Sequence, residues 1–214
     1  MLSILQQLLQ RLYGIQVEQS VTDYVVTDPG LVRRLRGQTG QAPETLLLRQ
    51  QGDTLELSLY LDAGLLSRLS AADPLHRLRR TDIEGFCILL EGVSHFLYLV
   101  WHGVRARGLT QLELELQAEV DKYALLGYLL KAQHQGTLPA WLPRQLFERV
   151  RYRADLTGAQ RDRYQAANHY ARRYCRRLQR RFQWAWNGRS LLQELRRFYR
   201  LDQARKLRHI EHCG

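Results

Sequence analysis

Two helix-start signals in the middle of the chain constrain the fold more than any other feature. The segments Thr81-Asp-Ile-Glu84 and Thr110-Gln-Leu-Glu113 each place a threonine three positions before a glutamate. This is the capping box, in which a hydroxyl and a carboxylate satisfy the first free amides of a helix. The apolar segments that follow predict helices at about 82–104 and 111–134. Because the loop between them is short, we expect an antiparallel helical hairpin within residues 81–137.

The N-terminal third carries the signals of a small α/β unit. Residues 2–13 have the apolar spacing of an amphipathic helix, and the TDYVVT segment at 22–27 has the composition of a short strand. Further on, Leu55, Leu57, Leu59 and Leu61 alternate with Glu56, Ser58, Tyr60 and Asp62. With the β-prone ETLLLRQ run before Gln51-Gly52-Asp53, this period of two predicts a β-hairpin over about 44–62. We therefore expect an N-terminal α/β part at 1–80.

A proline-bearing segment divides the rest of the chain. Leu138-Pro-Ala-Trp-Leu-Pro143 contains two of the five prolines and precedes a change in charge, so it is the best candidate boundary. After it, the apolar spacing predicts helices at about 144–155, 158–184 and 190–210. We expect residues 144–214 to form a basic, arginine-rich helical subdomain. The predicted fold class is α+β, predominantly helical.

Positive charge is concentrated in this last segment. Of the 32 Lys and Arg residues, 19 lie at or after Arg144, against 6 of the 21 Asp and Glu residues. The overall formal charge of +11 therefore belongs to the C-terminal third. Clustered like charge repels itself unless an anionic partner relieves the repulsion. Because 29 of the 32 cationic residues are Arg, whose planar guanidinium binds phosphate in a bidentate manner, the bias favours phosphate recognition.

The arginines flank apolar stripes in the predicted C-terminal helices. The stripe in 158–184 consists of Tyr164, Ala167, Ala171, Tyr174, Cys175, Leu178 and Phe182, which recur at helical spacing. The candidate nucleic-acid-binding residues lie largely outside this stripe and its counterpart in the next helix: Arg172, Arg173, Arg176, Arg177, Arg180, Arg181, Arg196, Arg197 and Arg200. Tyr170, Trp184 and Trp186 lie nearby in the sequence and are able to stack on unpaired bases.

These features predict a non-catalytic nucleic-acid-binding protein, or a subunit of a complex that handles nucleic acid. Binding to DNA or RNA would not be sequence-specific, because the sequence has no zinc-finger, Walker, RNP or convincing helix-turn-helix motif. A protein partner, or a second copy of the chain, would supply specificity, and no cofactor is expected. The main alternative is an adaptor whose arginine face binds an acidic protein. A solvated surface is a further alternative, since a GC-rich genome raises Arg over Lys.

A polar stripe runs along the first helix of the predicted hairpin. Its members are Glu84, Glu91, His95 and His102, whose spacing places them on one helical face. The second helix carries Glu115, Glu119 and Lys122 at similar spacing. Carboxylates and imidazoles on facing helices can form a metal site, so Glu91, His95 and Glu119 are candidate metal ligands. Since the sequence lacks a complete di-metal motif, a buried network that fixes the helix register is the main alternative.

Arg163 and His169 form a third pattern, within the predicted helix at 158–184. Their spacing is similar to the Arg-x(4–6)-His element of HEPN ribonucleases, in which the two residues act together on the RNA backbone in a dimer cleft. The resemblance covers these two residues only. It implies a metal-independent ribonuclease with Arg163 and His169 as catalytic residues, whereas a surface histidine beside the arginines is the alternative. The overall prediction is a protein that is not an enzyme.

Targeting and cysteine patterns predict a cytoplasmic protein without a membrane partner. The N-terminal helix lacks a basic leader and a small-residue cleavage site. The most apolar run, at 86–101, contains Glu91 and His95, so it falls short of an uncharged membrane span. The three cysteines, Cys87, Cys175 and Cys213, show no disulfide framework.

Overall fold

The computed structural model describes residues 1–36, 42–51, 54–103, 107–182 and 188–212. These residues are mostly helical and include a three-stranded mixed sheet, which confirms the predicted α+β, predominantly helical class. Some predicted features lie outside the described residues: the hairpin turn at Gly52-Asp53, the aromatic residues Trp184 and Trp186, and Cys213.

The N-terminal part combines helices with the sheet. Its elements are α1 (Leu2–Tyr13), β1 (Val25–Val26), α2 (Pro29–Arg36), β2 (Glu44–Gln51), β3 (Thr54–Leu61) and α3 (Ala63–Ala72), with a 3-10 turn at Val21–Tyr24 before β1. The strand order is β1-β3-β2, in which β1 is parallel and β2 antiparallel to β3. The hairpin and the short strand thus occupy the positions that their composition predicted, and β3 lies at the centre of the sheet.

Helix α2 is an element that the sequence did not predict. We expected only a turn at Asp28-Pro29-Gly30, but Pro29 begins a helix, a position at which its fixed φ and missing amide are tolerated. Its residue Val32 packs with Leu47 and Tyr60 in a small cluster separate from the main core. Tyr60 is therefore buried, although the period-two pattern placed it on the polar side of β3.

The remaining elements are helices: α4 (Ile83–Gly103), α5 (Gln111–Gln133), α6 (Leu142–Phe147), α7 (Gly158–Phe182), α8 (Arg189–Arg200) and α9 (Gln203–Glu211). Helix α5 begins where the capping box indicated, and the Thr110 hydroxyl accepts the Glu113 amide at 3.1 Å. The other half of the box is used differently, because the Glu113 carboxylate accepts hydrogen bonds from Tyr98 and Arg107. Contacts between α4 and α5 pair later residues of one with earlier residues of the other, as in an antiparallel pair.

The C-terminal helices differ from the prediction in two places. The segment predicted as one helix at 190–210 is broken, because Leu201 is extended and Asp202 caps the start of α9 by accepting the Arg205 amide at 2.8 Å. Helix α6 ends at Phe147, well before the predicted end at 155. Residues 148–151 are all exposed, so they make no packing against the core that would stabilise a longer helix.

One hydrophobic core joins the three sequence regions. It runs from Leu5 in α1 through α4 and α5 to Ile210 in α9. Helix α5 lies at its centre and packs against α4 on one side and α7 on another. The regions 1–80, 81–137 and 144–214 therefore contribute to a shared interior, in which α5 positions the helices that carry the candidate site residues.

Helix α4 is the one described helix that is long and apolar enough to cross a membrane. Its most apolar window has a mean hydropathy of 1.5, and 61% of that window is buried inside the fold. Since its apolar side chains pack against α1, α5 and the sheet, α4 has the character of the core helix of a soluble protein.

A polar network crosses the centre of the core. The Asp121 carboxylate accepts hydrogen bonds from the Ser94 hydroxyl at 2.6 Å, from the Gln117 amide at 2.6 Å and from the Tyr13 hydroxyl. The Lys206 ammonium donates to the Gln117 side chain. All five residues are buried, so their mutual hydrogen bonds offset the cost of removing them from water.

Lys206 generates a testable pH dependence of stability. Burial lowers its pKa from the usual value to about 7, against the opposing charges of Glu113 and Asp121. Below that pKa the lysine is charged in both the folded and the unfolded chain, and the full cost of burying the ammonium is present. Between about pH 7 and 10 the unfolded chain binds the additional proton, so stability rises by up to about 1.4 kcal/mol per pH unit.

The variant Lys206→Met removes this dependence, because methionine does not titrate. We expect urea unfolding across the same pH window to show the wild type gaining stability relative to the variant. Parallel pH profiles for the two proteins would contradict a buried lysine with a lowered pKa.

Candidate functional site

Helix α7 presents arginines on the side that faces away from the core. Its other side is buried, largely against α5, through Ala167, Ala171, Tyr174, Cys175, Leu178 and Phe182. Of the predicted binding residues on this helix, four are exposed: Arg173, Arg176, Arg180 and Arg181. We call these four residues the α7 arginine stripe. Because the apolar side fixes the rotation of the helix, it also fixes the direction in which the stripe points.

Glu148 partly neutralises one border of the stripe. Its carboxylate lies 2.7 Å from Arg172 and 3.4 Å from Arg176, and a weaker contact joins it to Arg144 at 3.5 Å. These side chains are largely solvated, so each pair contributes little to stability. The single carboxylate nevertheless lowers the net positive charge at this border.

Arg177 makes its contacts with other residues of the same chain. Its guanidinium lies 3.0 Å from Glu194 of α8 and donates to the backbone carbonyl of His209 in α9. The His209 ring lies 2.7 Å from the same carboxylate, and the Tyr174 hydroxyl donates to it at 3.2 Å. Burial alone would raise the pKa of Glu194, but His209 and Arg177 outweigh it and lower that pKa. Arg177 therefore ties three helices together.

Arg196 and Arg200 cap the C-terminal end of α1. Arg196 donates to the carbonyls of Arg11 and Leu12. Arg200 donates to the carbonyls of Tyr13 and Gly14. The last carbonyls of a helix have no partner within the helix and carry partial negative charge, so cations are favoured there.

Gly14 permits this close approach. Its backbone has φ of +58°, and a Cβ at this position would lie 3.1 Å from the Arg196 Nε atom. Glycine adopts this left-handed conformation without strain and leaves room for the guanidinium. The two arginines thus dock α8 onto α1.

The double variant Arg196→Gln/Arg200→Gln tests this docking. We expect it to lower the free energy of unfolding by about 2 kcal/mol, because hydrogen bonds from charged donors to helix-end carbonyls are lost. The matched control is Arg197→Gln, which changes an exposed neighbour and should shift stability by less than about 0.5 kcal/mol. Chemical denaturation measures both, and equal stabilities of the two variants would refute the docking role.

The nine predicted arginines therefore divide into two groups. Arg172, Arg176, Arg177, Arg196 and Arg200 contact other parts of the chain, as described above. Within the part of the chain that the structure describes, no carboxylate forms an ion pair with Arg173, Arg180, Arg181 or Arg197. The four arginines of the second group, all exposed, remain open to an anionic ligand.

Arg163 and His169 point in different directions around α7. Six positions on a helix correspond to a rotation of about 120° from one another. The Arg163 guanidinium lies over the ring of Tyr164, 5.7 Å from its centroid, whereas the exposed His169 ring contacts Tyr170. Within one chain the two side chains do not converge, and the ribonuclease prediction remains a prediction about a dimer.

A second set of charged side chains is buried between α4 and α5. Lys122 lies 2.6 Å from Glu91 and 2.8 Å from Glu119. The Lys122 side chain is 10% exposed, and the two carboxylates are 20% and 18% exposed. Glu119, which the spacing nominated as a metal ligand beside Glu91 and His95, therefore faces the lysine.

His95 joins two other carboxylates. Its Nδ1 atom lies 3.8 Å from Glu44 of β2, and its Nε2 atom lies 3.5 Å from Glu115 of α5. The ring side chain is 9% exposed. One donor atom each from Glu44, Glu91 and His95 lies within 4.8 Å of the others. Among the residues that the structure describes, these three are brought close enough to share an ion. We call them, together with Glu115, Glu119 and Lys122, the acidic cluster.

Burial and charge compete in this cluster. Burial alone would lower the pKa of His95, but Glu115 and Glu44 outweigh it and raise that pKa. In the same way Glu119 and Glu91 raise the pKa of Lys122 despite its burial.

The pKa of each carboxylate depends on how strongly it interacts with His95 and Lys122. Burial raises the pKa of Glu44 and of Glu119. For Glu91, Lys122 and His95 outweigh the effect of burial and lower the pKa. The negative charge of Glu91 is therefore better compensated by Lys122 and His95 than that of Glu44 or Glu119.

Glu44 is the member that the sequence did not nominate. It reaches the cluster because α4 has a glycine at the crossing with β2: a Cβ on Gly92 would lie 3.0 Å from both the Glu44 Cγ atom and the Leu59 Cδ1 atom. A glutamate at the start of a predicted strand does not by itself indicate a binding site. A glycine between Glu91 and His95 in an apolar helix is the local feature that indicates a close approach by another element.

The variant Gly92→Ala should displace Glu44 and strain the core. Overpacking at such a site costs about 1–3 kcal/mol. The control is Gly103→Ala, at the end of the same helix, where a Cβ meets nothing within 4 Å. The helix propensity of alanine offsets part of the overpacking cost at Gly92, which lies inside the helix, so we expect Gly92→Ala to be less stable than the control by about 1 kcal/mol in thermal or urea unfolding. Equal stability of the two variants would show that the neighbours of Gly92 move aside without cost.

Comparisons with known proteins give no match to a family model, to a curated protein or to a solved structure.

Proposed function

We propose that this protein binds the sugar–phosphate backbone of a nucleic acid through the α7 arginine stripe, without catalysing a reaction on it. The observation that supports the proposal is the exposure of four guanidinium groups on a helix whose opposite side is buried in the core. Arginine forms bidentate hydrogen bonds with phosphate oxygens. A helix that is held in place by its apolar side presents these donors without losing much conformational freedom on binding.

The spacing of the stripe matches a few phosphates. Arg173 and Arg180 are seven residues apart, which corresponds to about 10 Å along a helix. One strand of duplex DNA carries a phosphate about every 3.4 Å along its axis, so the stripe spans about three phosphates. Contacts of this number and kind give modest, salt-sensitive binding without sequence preference. Half-buried Tyr170, on the same helix, provides a ring for an unpaired base.

Specificity would come from elsewhere, from a protein partner or a second copy of the chain. In this proposal the region 144–214 acts as the binding part, while the region 1–80 and the helical pair in 81–137 hold it in position and remain accessible to that partner. The proposed location is the cytoplasm, where nucleic acid is available. The free thiols of Cys87 and Cys175 suit a reducing compartment.

Salt dependence tests the proposal. We expect wild-type protein to bind duplex DNA, single-stranded DNA or RNA at about 50 mM salt. The slope of log K against log salt should be about −3 for a duplex and about −2 for a single strand. Arg173→Gln/Arg180→Gln should weaken binding at least about tenfold and reduce the slope by about 2. Fluorescence anisotropy with labelled oligonucleotides provides these values.

The matched control is Arg33→Gln/Arg68→Gln, which removes the same charge from exposed arginines of α2 and α3. It should leave the slope unchanged. Absence of binding at about 50 mM salt, or equal losses in the two double variants, would overturn the proposal. Polyglutamate serves as a second probe: if it competes as well as an oligonucleotide of equal charge, the α7 arginine stripe is instead a surface for an acidic protein.

A further inference from the structure

The acidic cluster contains donor atoms from two elements that face a common point. Glu91 and His95 lie one helical turn apart on α4, so they share a face. Glu44 approaches the same face from β2 over Gly92. One atom of each lies within 4.8 Å of the other two. Three atoms spaced in this way lie within about 2.8 Å of a common point, whereas bonds from such ligands to a divalent metal ion are about 2.0–2.2 Å long. A shift of less than about 1 Å therefore brings the three atoms to bonding distance.

Two polar atoms in this cluster are buried and lack a hydrogen-bond partner among the described residues. They are His95 Nε2 and Glu44 Oε1. The distances of 3.5 and 3.8 Å from the His95 ring nitrogens to carboxylate oxygens exceed those of ordinary hydrogen bonds. Since the His95 side chain is only 9% exposed, water reaches it poorly. Buried polar atoms left without partners are costly, and an ion that drew the ligands together would satisfy them.

The charge of the cluster also favours a cation. Four carboxylates, those of Glu44, Glu91, Glu115 and Glu119, face one lysine and one histidine. When all six groups are ionised, the carboxylates outnumber the cations and leave an excess of negative charge in a largely buried place. The Arg163 guanidinium lies over the Tyr164 ring, and burial and the charge of Glu115 both contribute to the raised pKa of Tyr164. A divalent ion would offset more of the excess than a proton would.

We infer that Glu44, Glu91 and His95 bind a divalent transition-metal ion. His95 coordinates it through Nδ1, the nitrogen nearer to Glu44. Its Nε2 then donates to Glu115, an arrangement that fixes the tautomer and orientation of a metal-bound histidine. Lys122 holds one oxygen of Glu91 and leaves the other oxygen for the metal. Glu119 pairs with Lys122 and stays outside the coordination sphere.

The donor set indicates the class of metal. One imidazole nitrogen with two carboxylates suits Mn²⁺, Fe²⁺ or Zn²⁺, whereas Mg²⁺ and Ca²⁺ favour oxygen ligands alone. Three protein ligands leave at least one coordination position for water. The Glu91 side chain, 20% exposed, marks the route by which an ion enters. Because the ligands come from β2 and α4, the bound ion would also fasten the sheet to the central helix.

Metal titration of the full chain, after chelator treatment, tests this inference. We expect one Mn²⁺ or Zn²⁺ ion to bind per chain in calorimetry and to raise the unfolding temperature, while equal Mg²⁺ has a much smaller effect. Glu44→Gln and His95→Gln should each weaken binding by at least about tenfold, and Glu115→Gln by about tenfold. Glu119→Gln is the matched control, because it removes a neighbouring carboxylate of similar burial and should retain the affinity.

A measurement on the wild type does not depend on any variant folding. Paramagnetic Mn²⁺ should broaden the imidazole NMR signals of His95 and leave sharp those of His134, which is exposed beyond the far end of α5. Absence of binding at millimolar Mn²⁺, Fe²⁺ or Zn²⁺ would overturn the inference. So would wild-type affinity in folded Glu44→Gln and His95→Gln, or a loss in Glu119→Gln as large as theirs. Oligonucleotide binding by the α7 arginine stripe involves other residues, so the two proposals fail separately.

Discussion

The burial of polar and charged residues on α5 is the constraint on which the rest of the structure depends. Helix α5 is covered by α4 on one side and α7 on another, so these side chains have little access to water. Each must find a partner inside the protein, because an unpaired buried charge is far more costly than an exposed one. The partners come from four other helices or loops: Tyr98 and Arg107 for Glu113, Tyr13 and Ser94 for Asp121, Lys206 for Gln117, and Glu91 for Lys122. These pairings fix how α1, α4 and α9 sit around α5.

The same requirement decides which arginines remain for a ligand. Some arginines bind to other parts of the same chain and are not available to a ligand. Arg177 pairs with the Glu194 carboxylate, and Arg200 donates hydrogen bonds to carbonyls at the end of α1. Arg173 and Arg180 are exposed to solvent and form no ion pair with a carboxylate in the described part of the chain. Fewer arginines are therefore available to an anion than the sequence predicts. Three of the four arginines that remain open, Arg173, Arg180 and Arg181, lie on α7, so the surface that they form has a defined direction.

Features set by neighbouring residues were predictable from the sequence, and features set by distant ones were not. The cap at Thr110 and the buried stripe of α7 depend on residues within a few turns, so local spacing located both. The break before α9 depends on the cap at Asp202, a weaker local signal inside an otherwise continuous helical pattern. The contact of Glu44 with His95 joins a strand to a helix, and no local pattern encodes it. The Glu91 and His95 part of the cluster was found because both lie on one helix.

Helix α7 has residues near both proposed sites, which lie at different points along its length. Tyr164, near its start, lies close enough to the acidic cluster for Glu115 to affect its pKa, which burial and that charge raise. The α7 arginine stripe begins more than two turns later and faces solvent. Because the buried side of α7 is packed against α5 between these points, charge at the cluster acts on the stripe only over a long and partly screened path. An ion in the cluster would therefore act mainly on the attachment of the sheet to α4, and the affinity of the stripe for phosphate would depend on the arginines and the salt concentration.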